Sequence, residues 1–287
     1  MPELPEVEIV KRSLKNKIYH KKINKIIISN RNLRFKIQKN FEKILKYTYV
    51  TNIYRFSKYI ILEFKNKKYC IIHLGMSGTL HLVDYKKKKK VTNLSFYKYI
   101  SLPKKHNHIK IKFDNFMIVY NDPRRFGFFK ILNSKSEIKN YFKQKGPDAL
   151  TKKFNKKYLE KKLVNIKKNI KNCLLDQNIV SGIGNIYSNE ILFYSKIDPL
   201  KLANKLNKYE LYKIVKYSKI VLNLAIKLGG SSIRNFKSVS GKDGYFQDKF
   251  KVYDQHNKKC SNKYCDDKIL KIFVSNRSTF LCKSCQK

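Results

Sequence analysis

MPELPEVE, residues 1–8, begins the chain and determines how its N-terminal part folds. Proline is favoured in the first turn of a helix and carboxylates at the positive helix end, so this stretch predicts a helix start. It also predicts chemistry. If Met1 is removed, Pro2 carries a free secondary amine beside the acid Glu3, and an α-amino group has a pKa of about 7.7–8.0. An amine that is partly neutral at cellular pH can attack a sugar C1′ and form an imine.

The composition of the 287 residues is strongly basic. Lys and Arg number 65 against 20 Asp and Glu, which gives a net charge of +45. Because cationic side chains neutralise phosphates, this charge predicts a nucleic-acid partner. The abundance of Lys, Asn, Ile and Tyr also indicates a mutational bias that adds charge beyond what binding needs. Three of the 20 acidic residues nevertheless lie within residues 1–8, which favours a chemical role for that stretch.

Targeting signals are not expected in this chain. No apolar run approaches the roughly 18 residues of a membrane span, and the N-terminus lacks the basic-then-apolar pattern of a signal peptide. We therefore expect a cytoplasmic, nucleoid-associated protein, in which thiols stay reduced. Of the six cysteines, Cys70 and Cys173 lie singly in apolar surroundings and are expected in the core.

The residue pattern predicts an α+β fold. Residues 2–17 form a helix with Val7, Val10 and Leu14 on one side, and the short β-like runs that follow favour a two-sheet antiparallel sandwich. These runs are 23–29, 50–55, 59–64, 69–74, 79–83, 108–113, 116–121 and 128–132. Beyond them the apolar period changes from two to about 3.6 residues. The helices expected there are 156–163, 166–177, 186–195 and 208–228.

Four segments follow from this change of period. Residues 1–133 form a β-sandwich domain, and residues 134–149 form a linker punctuated by Gly146-Pro147. Residues 150–249 form a helical domain, and residues 250–287 form a cysteine-containing tail. The run of five lysines at 86–90 is expected to be a solvated loop with incidental phosphate contact.

The tail carries a metal-binding pattern, Cys260-x4-Cys265-x16-Cys282-x2-Cys285. Four thiolates paired across a hairpin suit one structural, tetrahedral Zn²⁺ ion. Since the tail has too few apolar residues for a core of its own, metal is expected to hold it together.

Five motifs in chain order carry a family resemblance. MPELPEVE, HLGMSG (73–78), DPRRFG (122–127), GIGNIY (182–187) and the cysteine tail resemble bacterial formamidopyrimidine-DNA glycosylases. The resemblance implies a helix–two-turns–helix domain that ends in a zinc-finger β-hairpin. It also implies a monomeric, bifunctional base-excision-repair enzyme acting on duplex DNA. Such an enzyme removes 8-oxoguanine and formamidopyrimidines opposite cytosine through an N-terminal proline Schiff base, followed by β,δ-elimination.

The resemblance assigns catalytic roles to Pro2 as nucleophile, Glu3 as acid, Lys58 as proton donor in β-elimination and Arg277 in δ-elimination. Arginine does not readily lose its proton, because its pKa lies above about 12. Arg277 is therefore interpreted as an electrostatic clamp that aids departure of the phosphate.

The resemblance also assigns DNA contacts. Met76, Arg124 and Phe126 are expected to fill the space left by an extruded nucleotide, which needs an apolar wedge and a hydrogen-bond donor. Further DNA contacts are expected from His106, Lys167 and Asn185, and residues 231–245 resemble a loop that caps the lesion. The basic residue with which the family contacts DNA falls on Ile166 in this chain, so Lys167 is expected to take its place. Asn185 is expected to cap the following helix as well.

Two alternatives remain open on the sequence. One is a glycosylase of the same fold that acts on oxidised pyrimidines, against which Leu4-Pro5 and the DPRRFG motif argue. The other is a non-catalytic, zinc-containing nucleic-acid binder. A non-catalytic protein is disfavoured, because the chain keeps the four residues expected to be catalytic, which are Pro2, Glu3, Lys58 and Arg277.

Overall fold

The structure, a computed structural model, describes residues 1–85, 91–93, 102–231 and 246–287, and only the backbone of 91–93. The lysine run 86–90 and all of the expected lesion-capping loop except Ser231 lie outside the described residues. The chain divides into two compact units: Met1–Lys143 with Gly229–Tyr245, and Gln144–Leu228 with Phe246–Lys287. The four-segment division made from the sequence stays a prediction.

The first unit contains the β-structure expected from the sequence. Its elements are α1 (Leu4–Ile18), β1 (Lys25–Ile28), α2 (Phe41–Leu45), β2 (Val50–Phe56), β3 (Tyr59–Phe64), β4 (Tyr69–His73), β5 (Thr79–Asp84), β6 (Val91–Asn93), β7 (Asn107–Lys112), β8 (Phe116–Asn121), β9 (Phe128–Leu132) and α3 (Lys135–Tyr141). The sequence did not predict α2, and it treated the region of α3 as a linker. Ser134 caps α3 by accepting a hydrogen bond from the backbone of Glu137 at 3.1 Å.

Two antiparallel sheets form the sandwich of this unit. One has the strand order β1-β7-β8-β5-β6, and the other has the order β2-β3-β4-β9. Ile109 and Ile118 of the first sheet share one buried core with Ile60 and Ile72 of the second, and Val10 of α1 joins it. The expected helix-plus-sandwich architecture is therefore confirmed.

The four-stranded sheet is buried on both faces. Ile61 and Ile71 point away from the main core into a second cluster that includes Ile138 of α3. Burial on two faces explains why β3 and β4 are continuous apolar runs instead of alternating ones. The outer cluster lies next to the turn between β2 and β3, which carries Lys58.

The second unit is helical and ends in a hairpin. Its elements are α4 (Lys156–Leu163), α5 (Ile170–Leu175), α6 (Asn185–Ser195), α7 (Lys208–Lys227), β10 (Leu270–Val274) and β11 (Arg277–Leu281). The expected helix over 166–177 is too long, because Asn169 accepts a hydrogen bond from the backbone of Asn172 at 2.8 Å and starts α5 there. Among the described residues, no helix is long and apolar enough to cross a membrane.

Candidate functional site

The chain's N-terminal residues are packed into the first unit. Pro2 is buried and Glu3 is 3% exposed, and Glu3 precedes α1 at its cap position. The backbone N–H of Glu3 donates to Oε2 of Glu6 at 2.9 Å. The other oxygen of Glu6 accepts from the backbone N–H of Ser231 at 3.0 Å and from its hydroxyl at 2.9 Å. Glu6 is thus used to hold the start of the helix.

Four charged groups surround the terminal amine, which Met1 carries in this chain. Burial lowers the pKa of this amine below its ordinary value of 8.0, and that effect outweighs the raising effect of Glu3 and Glu6. The positive charges of Lys58 and Arg124 lower the pKa further. Lowering the pKa favours the neutral amine, which is the nucleophilic form. The structure therefore brings the predicted residues Glu3, Lys58 and Arg124 to one place, next to Pro2.

Lys58 lies in the tight turn between β2 and β3 and is only 5% exposed. Ser57, beside it, has a positive φ of 55°. Arg55 fixes this turn to α1, because its guanidinium donates to the carbonyl of Ser57 at 2.9 Å and to Glu8 at 3.0 Å. Since Glu8 belongs to the helix that starts beside Pro2, this ion pair sets the position of the lysine relative to the N-terminus.

The three residues predicted to fill a vacated nucleotide site lie on two adjoining loops. Met76 is 41% exposed and Phe126 is 43% exposed, both high values for apolar side chains. The guanidinium of Arg124 lies 4.7 Å from the ring centroid of Phe126. A Cβ on Gly75 (φ +64°) would lie 2.4 Å from the backbone nitrogen of Gly127, so the two loops touch through their backbones. Their apolar tips are therefore presented together.

His73, which no sequence pattern singled out, supports the first of these loops. Its Nδ1 accepts a hydrogen bond from the backbone N–H of Gly75 at 3.1 Å, so the neutral ring carries its proton on Nε2. Burial lowers the pKa of His73 to about 4, with further lowering by Lys58 and Arg34. The signal available in the sequence was its place as the first residue of the HLGMSG motif.

His106 is exposed, as a DNA-contacting histidine must be, and it lies just before β7 with a positive φ of 65°. Lys104 and Lys105 beside it are also exposed. The carbonyl of His106 accepts a hydrogen bond from the backbone of Asp122 at 3.1 Å. This bond ties the histidine's loop to the loop that carries Arg124.

In the second unit, Asn185 is the first residue of α6, and the cap position belongs to Gly184. The expectation that Asn185 caps this helix was therefore wrong, because Gly184 is already extended (φ −131°, ψ −161°) and the helix starts one residue later. The Asn185 amide donates instead to the carbonyl of Ser278 at 3.0 Å. Nζ of the fully buried Lys171 donates to the same carbonyl at 3.0 Å and to the Thr279 hydroxyl at 2.6 Å.

Arg277 opens β11 directly after the turn of the β10–β11 hairpin and is exposed. Ser275 and Asn276 both have positive φ, 48° and 59°, as the two-residue turns preferred in hairpins require. Lys167 is also exposed and lies ahead of α5, whereas Ile166 is half-buried. The structure thus presents both predicted cations to solvent.

The four tail cysteines converge on one point. Their sulfur atoms all lie within 4.8 Å of one another, with Cys260 and Cys285 at 3.8 Å and Cys265 and Cys282 at 3.5 Å. Four thiolates about 2.3 Å from a central ion stand about 3.8 Å apart in a tetrahedron, so the spacing fits a tetrahedral metal ion. Within the part of the chain that the structure describes, these four cysteines form a group that could hold a metal ion.

The four residues between Cys260 and Cys265 contribute hydrogen bonds to the cysteine sulfur atoms. Asn262 within it donates from its amide to the sulfur of Cys285 at 3.3 Å and from its backbone to that of Cys260 at 3.5 Å. Hydrogen bonds to the sulfur atoms orient metal ligands and stabilise their thiolate form. Asn262 lies within the x4 spacer between Cys260 and Cys265, and the sequence did not point to this donor.

Comparison with known proteins covers the whole chain. A model of the formamidopyrimidine-DNA glycosylase N-terminal domain matches residues 1–129, and a model of the formamidopyrimidine-DNA glycosylase H2TH domain matches residues 145–237. A formamidopyrimidine-DNA glycosylase of Wolbachia sp. subsp. Drosophila simulans (strain wRi) is 40% identical over 287 residues, covering 100% of both chains. One from Rickettsia bellii (strain OSU 85-389) is 37% identical over 290 residues, again covering 100% of both.

Solved structures show the same relationship. A mutant of the Lactococcus lactis FPG in complex with a Fapy-dG containing DNA superposes with a TM-score of 0.88 at 33% identity, covering 100% of both chains. The Lactococcus lactis Fpg in complex with an abasic site containing DNA superposes with a TM-score of 0.86, also at 33% identity, covering 99% of both.

Proposed function

The chain belongs to the formamidopyrimidine-DNA glycosylase family, and we propose that it is a base-excision-repair enzyme that removes oxidised purines from duplex DNA. The observation that carries the proposal is the N-terminus itself, where Pro2 is buried and the terminal amine lies among Glu3, Lys58 and Arg124. A nucleophile, an acid and cations that attract phosphate are the groups needed for covalent excision of a base.

Excision requires an amine that is neutral when the sugar arrives. After removal of Met1, the lone pair of the Pro2 nitrogen forms a bond to C1′ and the bond from C1′ to the damaged base breaks; the base leaves with the bonding electron pair and takes up the proton that the Pro2 nitrogen releases. The nitrogen lone pair then breaks the bond from C1′ to O4′, Glu3 as the acid donates its proton to O4′, and the product is an iminium ion between Pro2 and C1′. The burial of Pro2 supports this step, because desolvation favours the neutral form of an amine.

Strand cleavage follows from the iminium ion, which makes the C2′ proton acidic. Loss of that proton to solvent expels the 3′ phosphate, and a second elimination, in which the C4′ proton is lost to solvent, expels the 5′ phosphate. Lys58, fixed in its turn beside the N-terminus, serves as the proton donor of the first elimination. Arg277 keeps its charge and stabilises the departing phosphate of the second. Hydrolysis then releases the sugar fragment and restores the Pro2 amine.

Base extrusion leaves a gap in the duplex, and we assign its filling to Met76, Phe126 and Arg124. The exposed apolar side chains replace the lost stacking, and the guanidinium donates to the unpaired base. His106, Lys167 and Asn185 would bind phosphates, and all three lie at loops or at a helix start, where such contacts are made. Residues 231–245 would cap the extruded base.

The four-cysteine site is proposed to hold one Zn²⁺ ion. All-thiolate tetrahedral donor sets are typical of structural zinc, and such sites leave no open position for catalysis. The ion would stabilise the hairpin that presents Arg277. The enzyme would act as a monomer on chromosomal DNA, which places it at the nucleoid in the cytoplasm.

Borohydride trapping on a duplex with 8-oxoguanine opposite cytosine tests the proposal. The unaltered protein should form a covalent complex, Pro2→Gly should lose most of it, and Glu3→Gln should slow it strongly. Asp114→Asn, a change to an exposed carboxylate that accepts a hydrogen bond from Asn24, is the matched control. Mass spectrometry should show that Met1 is absent from the trapped protein.

Specific outcomes would contradict the proposal. Binding without trapping by the unaltered protein would indicate a non-catalytic binder. Faster release of thymine glycol than of 8-oxoguanine from matched duplexes would indicate a glycosylase for oxidised pyrimidines.

A further inference from the structure

Asp122 is a fully buried carboxylate at the end of β8 whose two oxygens collect three hydrogen bonds. Oδ1 accepts from the hydroxyl of Ser77 at 2.5 Å. Oδ2 accepts from the hydroxyl of Tyr120 at 2.9 Å and from the backbone N–H of Gly127 at 2.9 Å. Ser77 and Gly127 belong to the two loops that carry Met76 and Phe126.

Ser77 extends this network to Arg124. Its O–H donates to Asp122, and its oxygen accepts from the backbone N–H of Arg124 at 3.2 Å. The Asp122 carboxylate is the acceptor for the Ser77 proton in this arrangement, which leaves the Ser77 oxygen free to accept from Arg124. The backbone positions of both loops depend on one side chain.

Tyr120 closes the network by steric contact. A Cβ on Gly127 would lie 1.8 Å from the Tyr120 hydroxyl, and one on Gly78 would lie 2.4 Å from it. The hydroxyl is thus wedged between the two loops, and its bond to Asp122 fixes where it points.

The backbone of Asp122 binds a third loop. Its N–H donates to the carbonyl of His106 at 3.1 Å, and its carbonyl accepts from Nε2 of His108 at 2.9 Å. The loop with the exposed His106 is therefore held by the same residue.

We propose that Asp122 is a positioning residue that sets Met76, Arg124 and Phe126 in one rigid arrangement, so that they enter the DNA duplex as a unit. The proposal rests on the proposed glycosylase function and names the residue on which base extrusion depends. Rigid support matters because a wedge that must order itself during insertion loses part of the binding free energy.

Asp122→Asn is the sharpest test, because it preserves size and burial but replaces one acceptor oxygen with a donor. In either orientation of the amide, its NH2 replaces an acceptor, so either the bond that the Ser77 hydroxyl donates or the one that the Gly127 N–H donates is lost. For removal of 8-oxoguanine from a duplex we expect kcat/KM to fall roughly tenfold or more, since small misplacements of such groups are costly. On a single strand with a preformed abasic site, where there is no stack to fill, trapping should fall about twofold or less.

A fluorescence measurement reports the insertion itself. A 2-aminopurine placed opposite a tetrahydrofuran abasic analogue brightens when the neighbouring stack is disturbed. Saturating unaltered protein should give a full increase, and Asp122→Asn a smaller one. Asp114→Asn, the exposed control, should match the unaltered protein in every assay. Ser77→Ala should resemble Asp122→Asn, and the double variant should lose little more than either alone because the two changes break one network.

The outcomes separate this inference from the proposed function. If the unaltered protein neither excises nor traps, the proposed function fails. If the unaltered protein is active and Asp122→Asn is equally impaired on the duplex and on the unpaired strand, or is unimpaired on both, the positioning role is refuted. Additive losses from Ser77→Ala and Asp122→Asn would also refute it.

Discussion

Three carboxylates at the start of α1 have different tasks, although the sequence places them side by side. Glu6 accepts hydrogen bonds from the backbone of Glu3 and from Ser231, and Glu8 pairs with Arg55. Glu3 lies among the charges around the terminal amine. Contact geometry, and not residue type, therefore separates the candidate acid from two structural carboxylates.

Buried histidines should make stability depend on pH. Burial lowers the pKa of His81 to about 4 from 6.5, and its Nε2 lies 2.8 Å from the hydroxyl of Thr79. Below 6.5 the unfolded chain binds a proton that the folded chain refuses, so stability is lost as the pH falls from 6.5 toward 4. The full effect of one such residue is up to about 3 kcal/mol. His73 acts in the same direction.

Urea unfolding at several pH values between neutral and the folded-state pKa checks this expectation. His81→Gln should flatten the fall in unfolding free energy, while His256→Gln, at an exposed position, should leave the slope unchanged. Equal slopes in the unaltered protein and His81→Gln would contradict it. Comparing variants at the same pH removes the separate effect of acid on the cysteine site.

At the scale of elements, the β10–β11 hairpin is held from two sides. Lys171 of α5 and Asn185 of α6 both donate to the carbonyl of Ser278, next to Arg277. A buried ammonium group is costly unless its protons are bonded, so Lys171 is placed to hold the strand and not to face solvent. The cysteine site holds the opposite end of the same hairpin, where Cys282 follows β11.

Removing the metal should therefore impair the hairpin before the sandwich. Chelation, or Cys260→Ser, is expected to release about one zinc ion per chain and to lower DNA binding, because metal binding and folding of such a tail are coupled. Elemental analysis measures the zinc that is released, and the yield of the borohydride-trapped complex measures the loss of DNA binding. Cys70→Ser, at a buried cysteine of the sandwich, is the control that should retain zinc. Full metal content in Cys260→Ser would show that the fourth ligand lies elsewhere.

At the scale of the whole molecule, we expect the net charge of +45 to have two sources. Cations on loops such as that of His106 are proposed to contact phosphates, whereas many other lysines are expected to follow from compositional bias. Only cations that contact phosphate release counterions on binding, so the two sources can be separated experimentally.

Binding of undamaged duplex should weaken steeply with salt, but far less than the net charge suggests. A plot of log K against log salt from about 50 to 300 mM should have the slope of roughly 6–10 phosphate contacts. Lys167→Gln should reduce this slope by about one unit, since it removes one proposed contact. Lys152→Gln, at another exposed lysine of the same unit, is the control. Equal reductions in both variants would show that phosphate binding is diffuse.

Local patterns predicted much of the element content. The periods that predicted helices over 156–163 and 208–228 correspond closely to α4 and α7, because both helices have an apolar stripe and begin after an asparagine, Asn155 or Asn207, whose side chain caps them. The helix over 166–177 was too long because capping by Asn169 competes with periodicity there. Motif residues such as Lys58 and Met76 were located by resemblance, while their burial and exposure came from the fold.

The sequence by itself determined most of the strands and the long helices, the terminal Pro2-Glu3 pair and the four thiolates, because each of these depends on neighbouring residues or on the chemistry of a side chain. The tertiary structure alone decided that Asp122 joins two loops, that Glu6 holds Ser231 and that Lys171 is buried. The physical reason is distance along the chain. Ser77 and Asp122 are 45 residues apart, and Glu6 and Ser231 are 225 apart, so no local pattern carries their contact.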